Sequence, residues 1–95
     1  MIEVDIKVFF SFKKRIGDGG RLMLEVPDGS TVKKVLEELS AKFPGFENHV
    51  LDQSGGVKRF IQIRVNQRSI SRFDGLKTKI NDGDEILILP KLGGG

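Results

Sequence analysis

Residues 30–44, STVKKVLEELSAKFP, form the stretch in which apolar residues recur with a helical period. Val32, Val35, Leu36, Leu39 and Phe43 fall at i, i+3, i+4, i+7 and i+11, which puts them on one face of an α-helix. Ser30 is expected to cap the helix by accepting from a free backbone N–H, with Thr31 as the other candidate. Glu38 and Lys42 are spaced for an i,i+4 ion pair. Phe43-Pro44-Gly45 ends the helix, because the residue before a proline is pushed out of helical geometry. A chain of 95 residues has room for one core, and this apolar stripe must be buried in it.

The flanking segments supply the surface to bury it against. Upstream, Ile2, Val4, Ile6, Val8, Phe10 and Phe12 share one parity while Glu3, Asp5 and Lys7 share the other, the pattern of a strand with one face on a core. KKRIGDGG (13–20) reads as a turn, and RLMLEV (21–26) as a second strand, hairpin-paired to the first. Downstream, residues 45–59 hold no period and carry a central Ser-Gly-Gly, so a long loop with at most one short helical turn is expected. Alternation returns in FIQIRV (60–65), NQRS reads as a turn, residues 72–85 as a connector with a tight NDGD turn, and EILIL (85–89) as a last strand. The predicted class is α+β: one main helix on one face of a sheet of four to five strands.

Composition narrows the function classes. There is no cysteine, which removes disulfides, thiolate metal sites and a thiol nucleophile. The net charge is +3, with basic residues scattered among acids and no run longer than Lys13-Lys14-Arg15, which reads as a solvated loop. No nucleophile–base set, metal set or cofactor fingerprint stands out, so an independent enzyme is not expected. No apolar run approaches the ~20 residues that span a bilayer, and MIEVDIKV lacks a secretory pattern, so a soluble cytoplasmic protein is expected.

The C-terminal stretch INDGDEILILPKLGGG (80–95) resembles the end of the small subunit of molybdopterin synthase, a ubiquitin-like sulfur carrier. Other blocks fall in the same order: IKVFFSF resembles that family's first strand, VPDGSTVKKVLEELSAKFP its approach to the helix, and IRVNQR its Val-Asn segment. The chain is similar in the same way to the small archaeal ubiquitin-like modifiers and, less closely, to the thiamine-pathway sulfur carrier. Three final glycines replace the usual two, and Pro90-Lys91-Leu92 replaces a second proline, a feature closer to the ubiquitin tail. The resemblance implies a β-grasp fold, a mixed sheet with the first and last strands adjacent in its middle. It divides the chain into a β-grasp domain over 1–90 and a flexible glycine tail over 91–95.

The resemblance also implies a chemistry. An adenylating enzyme of the ubiquitin-activating type uses ATP to join Gly95 to AMP, with no cofactor held permanently by the carrier. Sulfur then displaces AMP to give a thiocarboxylate, or a lysine amine displaces it to give an isopeptide bond. The implied partners are that enzyme and the molybdopterin synthase large subunit or the lysines of target proteins, and the free protein is expected to be a monomer. Gly93, Gly94 and Gly95 suit such a tail, since a narrow channel passes a residue that has no Cβ. From Pro90 to Gly95 an extended chain covers roughly 17–20 Å.

For docking, strand parity points to one face. If Ile86 and Ile88 meet the helix, Leu87 and Leu89 lie on the open side of the sheet, with Phe9 and Phe60 as companions and Lys91 and Leu92 beyond them. The alternative is that residues 45–59 fold over this patch. Minor features have ordinary explanations: His49 is a loop histidine without a second ligand at metal spacing, GDGG (17–20) a hairpin turn, and Asp82, Asp84 and Glu85 a turn cluster. Lys58 and Lys91 are candidate acceptors of a second modifier. The competing class is a non-catalytic β-grasp binding module, RNA- or protein-associated, which for RNA needs a basic, aromatic open face.

Overall fold

The computed structural model describes residues 1–9, 16 and 18–91. Five strands, β1 (Ile2–Val8), β2 (Arg21–Val26), β3 (Ile61–Val65), β4 (Arg68–Ser69) and β5 (Glu85–Pro90), form one sheet. Their order is β2-β1-β5-β3-β4. β1 runs parallel to β5, and every other pairing is antiparallel. The first and last strands are therefore adjacent inside a mixed sheet, as expected, with β5 at its centre. Phe10, Phe12 and the Lys13-Lys14-Arg15 run lie outside the described residues.

Alternation explains which face is buried. Register places Ile6 beside Ile86 and Val8 beside Ile88, and on the other flank of β5 it places Ile63 and Val65 beside Ile88 and Ile86. With Val4, Leu24 and Val26 these side chains make a continuous apolar surface. The main helix, α1 (Val32–Lys42), lays Val32, Val35, Leu36 and Leu39 on it, all fully buried. Each such side chain contributes about 1.5–3 kcal/mol of burial free energy. Phe43 caps the C-terminal end and is half-buried against the same core.

Several local features differ from the sequence-based expectation. Thr31, not Ser30, is the N-cap: its hydroxyl accepts from the Lys34 N–H at 3.3 Å. Ser30 is buried and used elsewhere, its Oγ donating to the Pro27 carbonyl at 2.6 Å while its own carbonyl accepts from the Ile80 N–H at 2.9 Å. The connector thus clamps the residue before the helix, which leaves the next hydroxyl to cap it. Glu38 pairs backwards, with Lys34 at 3.3 Å, a half-exposed ion pair worth a few tenths of a kcal/mol.

The 45–59 stretch is also more ordered than its lack of period suggested. It holds a second helix, α2 (Phe46–Val50), entered through Gly45 at φ 91° and closed onto Val57 by a bridge from Leu51. Phe46 and Val50 are fully buried with Leu36 and Leu39, and the Glu47 N–H donates to Ser40 Oγ at 2.8 Å. This segment therefore packs beside α1 and does not cover the open face. His49 sits in α2 and not in a loop. Ile70 and Ile80, from the connector, complete the core.

Candidate docking face and C-terminal strand

β5 is apolar on both parities, and the sheet separates them. Ile86 and Ile88 are fully buried under α1, while Leu87 and Leu89 are half-buried on the opposite face. Leu87 lies between Lys7 of β1 and Arg64 of β3, and Leu89 lies opposite Gln62. Phe9 follows β1 on this parity, its N–H donating to the Ile88 carbonyl at 2.9 Å, with its ring 43 % exposed. The Lys7 ammonium stands 5.1 Å from the centre of that ring, a cation–π distance. Phe60 is 75 % exposed and lines a separate recess with His49, Asp52 and Lys58.

The last hydrogen bond of the strand runs from the Lys91 N–H to the Phe60 carbonyl at 2.6 Å. Leu92, Gly93, Gly94 and Gly95 lie outside the described residues. Lys91 is exposed and Lys58 half-buried, so both amines face solvent to different degrees.

The acids before β5 are structural. Asp84 accepts from Asn66 Nδ2 at 2.9 Å and from the Asn81 N–H at 2.8 Å, while Asp82 accepts from the Glu3 N–H at 2.8 Å. The Gly83 N–H donates to the Glu3 carbonyl at 2.8 Å, and Gly83 sits at φ 84°, the left-handed geometry that a glycine takes without strain. This turn sets the register of β5 against β1 and thereby aims Leu87 and Leu89 outward. Among the described residues no cluster of His, Cys, Asp and Glu could hold a metal ion. No helix among them is long and apolar enough to cross a membrane.

Two features of the open face were not singled out from the sequence. Met23 of β2, paired with Asp5, is 56 % exposed on the open face, with the charged Asp5 and Lys7 of β1 between it and Leu87. Asp5 is bonded by Arg21 through two nitrogens, Nε at 3.3 Å and Nη2 at 2.8 Å. That guanidinium holds the Asp5 carboxyl below its ordinary range, with Lys7 adding to the shift. Parity within β2 would have found Met23; nothing in the sequence pairs Asp5 with Arg21 until the hairpin register is known.

The ThiS family profile matches residues 6–95. The chain belongs to the ThiS family. Small archaeal modifier protein 3 of Haloferax volcanii is 29 % identical over 94 residues, covering 99 % of this chain and 100 % of that one. The molybdopterin synthase sulfur carrier subunit of Mycobacterium tuberculosis is 27 % identical over 95 residues, spanning both chains in full. The sulfur carrier protein CysO of the same organism is 38 % identical over 69 residues, which is 70 % of this chain and 74 % of CysO. The crystal structure of M. tuberculosis CysO superposes with a TM-score of 0.76 at 30 % identity, covering 94 % of this chain and 99 % of that one. The β-grasp architecture expected from the sequence is thus shared with ThiS-family relatives named both as sulfur carriers and as modifiers.

Proposed function

We propose that this ThiS-family chain is a ubiquitin-like carrier whose terminal Gly95 is activated by an adenylating partner. In the first step the Gly95 carboxylate attacks the α-phosphorus of ATP, pyrophosphate leaves, and an acyl-adenylate forms. A sulfur nucleophile or a lysine amine then attacks the acyl carbon, AMP departs, and the product is a thiocarboxylate or an isopeptide bond. The chain supplies no acid, base or metal to these steps. Its contribution is a rigid body that grips the partner and a slim segment that reaches the partner's active site. ATP is the partner's substrate and is not held by the body.

The observation that carries this proposal is that Gly93, Gly94 and Gly95 follow β5 in sequence after Lys91 and Leu92, within a family match that reaches Gly95. Leu87 and Leu89 form the open-face patch on that strand, so the surface proposed to dock lies a few residues from the atoms proposed to react. Ordering a glycine segment costs about 1–2 kcal/mol per residue, and apolar burial on the docking face offsets it. Relatives named as sulfur carriers and as a modifier support both fates of the acyl-adenylate.

Intact mass after incubation with ATP, the host's adenylating enzyme and a sulfide source tests the proposal. The expected product is heavier by the replacement of one oxygen with sulfur, and deletion of Gly94-Gly95 abolishes it. In cells, conjugate ladders that vanish on the same deletion identify the lysine branch. An unchanged mass together with unchanged blots refutes activation at Gly95.

A further inference from the structure

The β3–β4 hairpin carries a second surface of different chemistry. Gln62 and Arg64 of β3, Gln67 of the turn, Arg68 and Ser69 of β4, and Arg72 and Phe73 beyond it line an open recess of about 700 Å³. Three guanidinium groups meet here and no acid lines the recess. None of the three has an ion pair among the described residues. Asp84, which lines the neighbouring recess with Arg68, is already engaged by Asn66 and the Asn81 N–H. Arg64 is half-buried, and its Nε is shut off from water without any acceptor. A desolvated donor with no partner among the described residues is costly and uncommon inside a fold.

We infer that this recess binds an acidic, extended peptide segment of a protein partner. Arginine forks match carboxylates in paired, planar hydrogen bonds, which lysine does not reproduce. Gln62, Gln67 and Ser69 offer amide and hydroxyl groups to the backbone of such a segment. β4 is a two-residue edge strand, beside which an extended chain can lie. The recess is too large for one phosphate. A single ring, Phe73 at 46 % exposure, is a poor platform for nucleic acid, which stacks successive bases on successive aromatics. Gln62 and Arg64 also stand opposite Leu89 and Leu87, so the recess adjoins the docking face. The inference does not rest on activation of Gly95.

The test titrates ¹⁵N-labelled protein with a hexaglutamate peptide, an equal-length glutamine peptide and an oligouridylate of equal charge at low salt. The hexaglutamate is expected to shift amide resonances of residues 62–73 saturably, while the glutamine peptide does not. R68Q/R72Q changes only exposed side chains, leaves half-buried Arg64 in place, and is expected to weaken binding about tenfold. K33Q/K42Q removes the same charge from exposed positions of α1 and is expected to change it less than about twofold. Deletion of Gly94-Gly95 leaves the affinity unchanged, which separates this surface from tail activation. Equal loss in the two double variants, tighter binding of the oligouridylate, or no saturable shift at 62–73 overturns the inference.

Discussion

Asn66 and Gln67 form the two-residue turn of the β3–β4 hairpin at φ 50° and 74°, both in the left-handed region. This is the geometry of a type I′ turn, for which Asn-Gly is the preferred pair. Asn66 is held there, its side chain donating to Asp84 at 2.9 Å and accepting from the Glu85 N–H at 3.0 Å. Gln67 is exposed and no hydrogen bond among the described residues supports its side chain, so its Cβ meets the ordinary left-handed penalty of about 1–2 kcal/mol. Glycine removes that penalty but leaves a freer unfolded chain, which returns about 0.4–1 kcal/mol. Gln67→Gly is therefore expected to stabilise the domain by about 0.5–1 kcal/mol, read as a higher urea midpoint at unchanged slope. A lower midpoint contradicts the turn assignment. The position of this turn is visible in the sequence; the sign of φ at Gln67 is not, because glutamine carries no signal for it.

At the scale of elements, legibility followed the strength of the periodic signal. β1, β3 and α1 bury one face over several residues, and alternation or helical spacing found each of them, while β2 and β5 stood out as short apolar-rich runs. α2 has five residues and two buried side chains, Phe46 and Val50, too few to establish a period. Ile70 reaches the core from a single 3-10 turn (Ile70–Arg72) and Ile80 from irregular backbone, both too short for a period to be read. Pairings between elements were equally silent, and Asp5–Arg21 is one with a measurable consequence. Because the folded state lowers the Asp5 pKa below the ordinary 3.8, the folded protein binds fewer protons there than the unfolded chain. The pair thus contributes fully above about pH 4 and loses its contribution as pH falls through the lowered value. Asp5→Asn is expected to be modestly less stable than wild type at pH 7, with the difference closing below pH 3.8. A difference between the two urea curves that stays constant from pH 7 to acid assigns the stabilisation to something other than the ionised pair.

The whole molecule divides its labour between two faces of one sheet, and two substitutions separate them. Phe46 is fully buried on the helix side, and its removal leaves a cavity that costs about 3–5 kcal/mol. That is a large fraction of the roughly 5–15 kcal/mol that holds a domain of this kind together. Leu89 is half-buried on the open side, where a carboxylate still reaches water, so Leu89→Asp is expected to cost no more than about 1–2 kcal/mol. The functional ranking is expected to reverse. Leu89→Asp places a charge in the apolar patch proposed to dock and should cut ATP–pyrophosphate exchange with the adenylating partner by at least tenfold, on the order of one hot-spot residue. Phe46→Ala should lower the thermal midpoint sharply yet support exchange at temperatures where it remains folded, since it alters neither the patch nor the tail. Leu89→Asp that unfolds would place Leu89 in the core, and Leu89→Asp that folds and exchanges normally would move the docking surface off this face. Leu87 and Leu89 lie on the strand that precedes residues 91–95 in sequence, so the patch that a partner is proposed to grip is close in sequence to the residues proposed to react. The same strand's other parity, Ile86 and Ile88, is locked under α1, so Leu89→Asp probes the open face without altering the buried one.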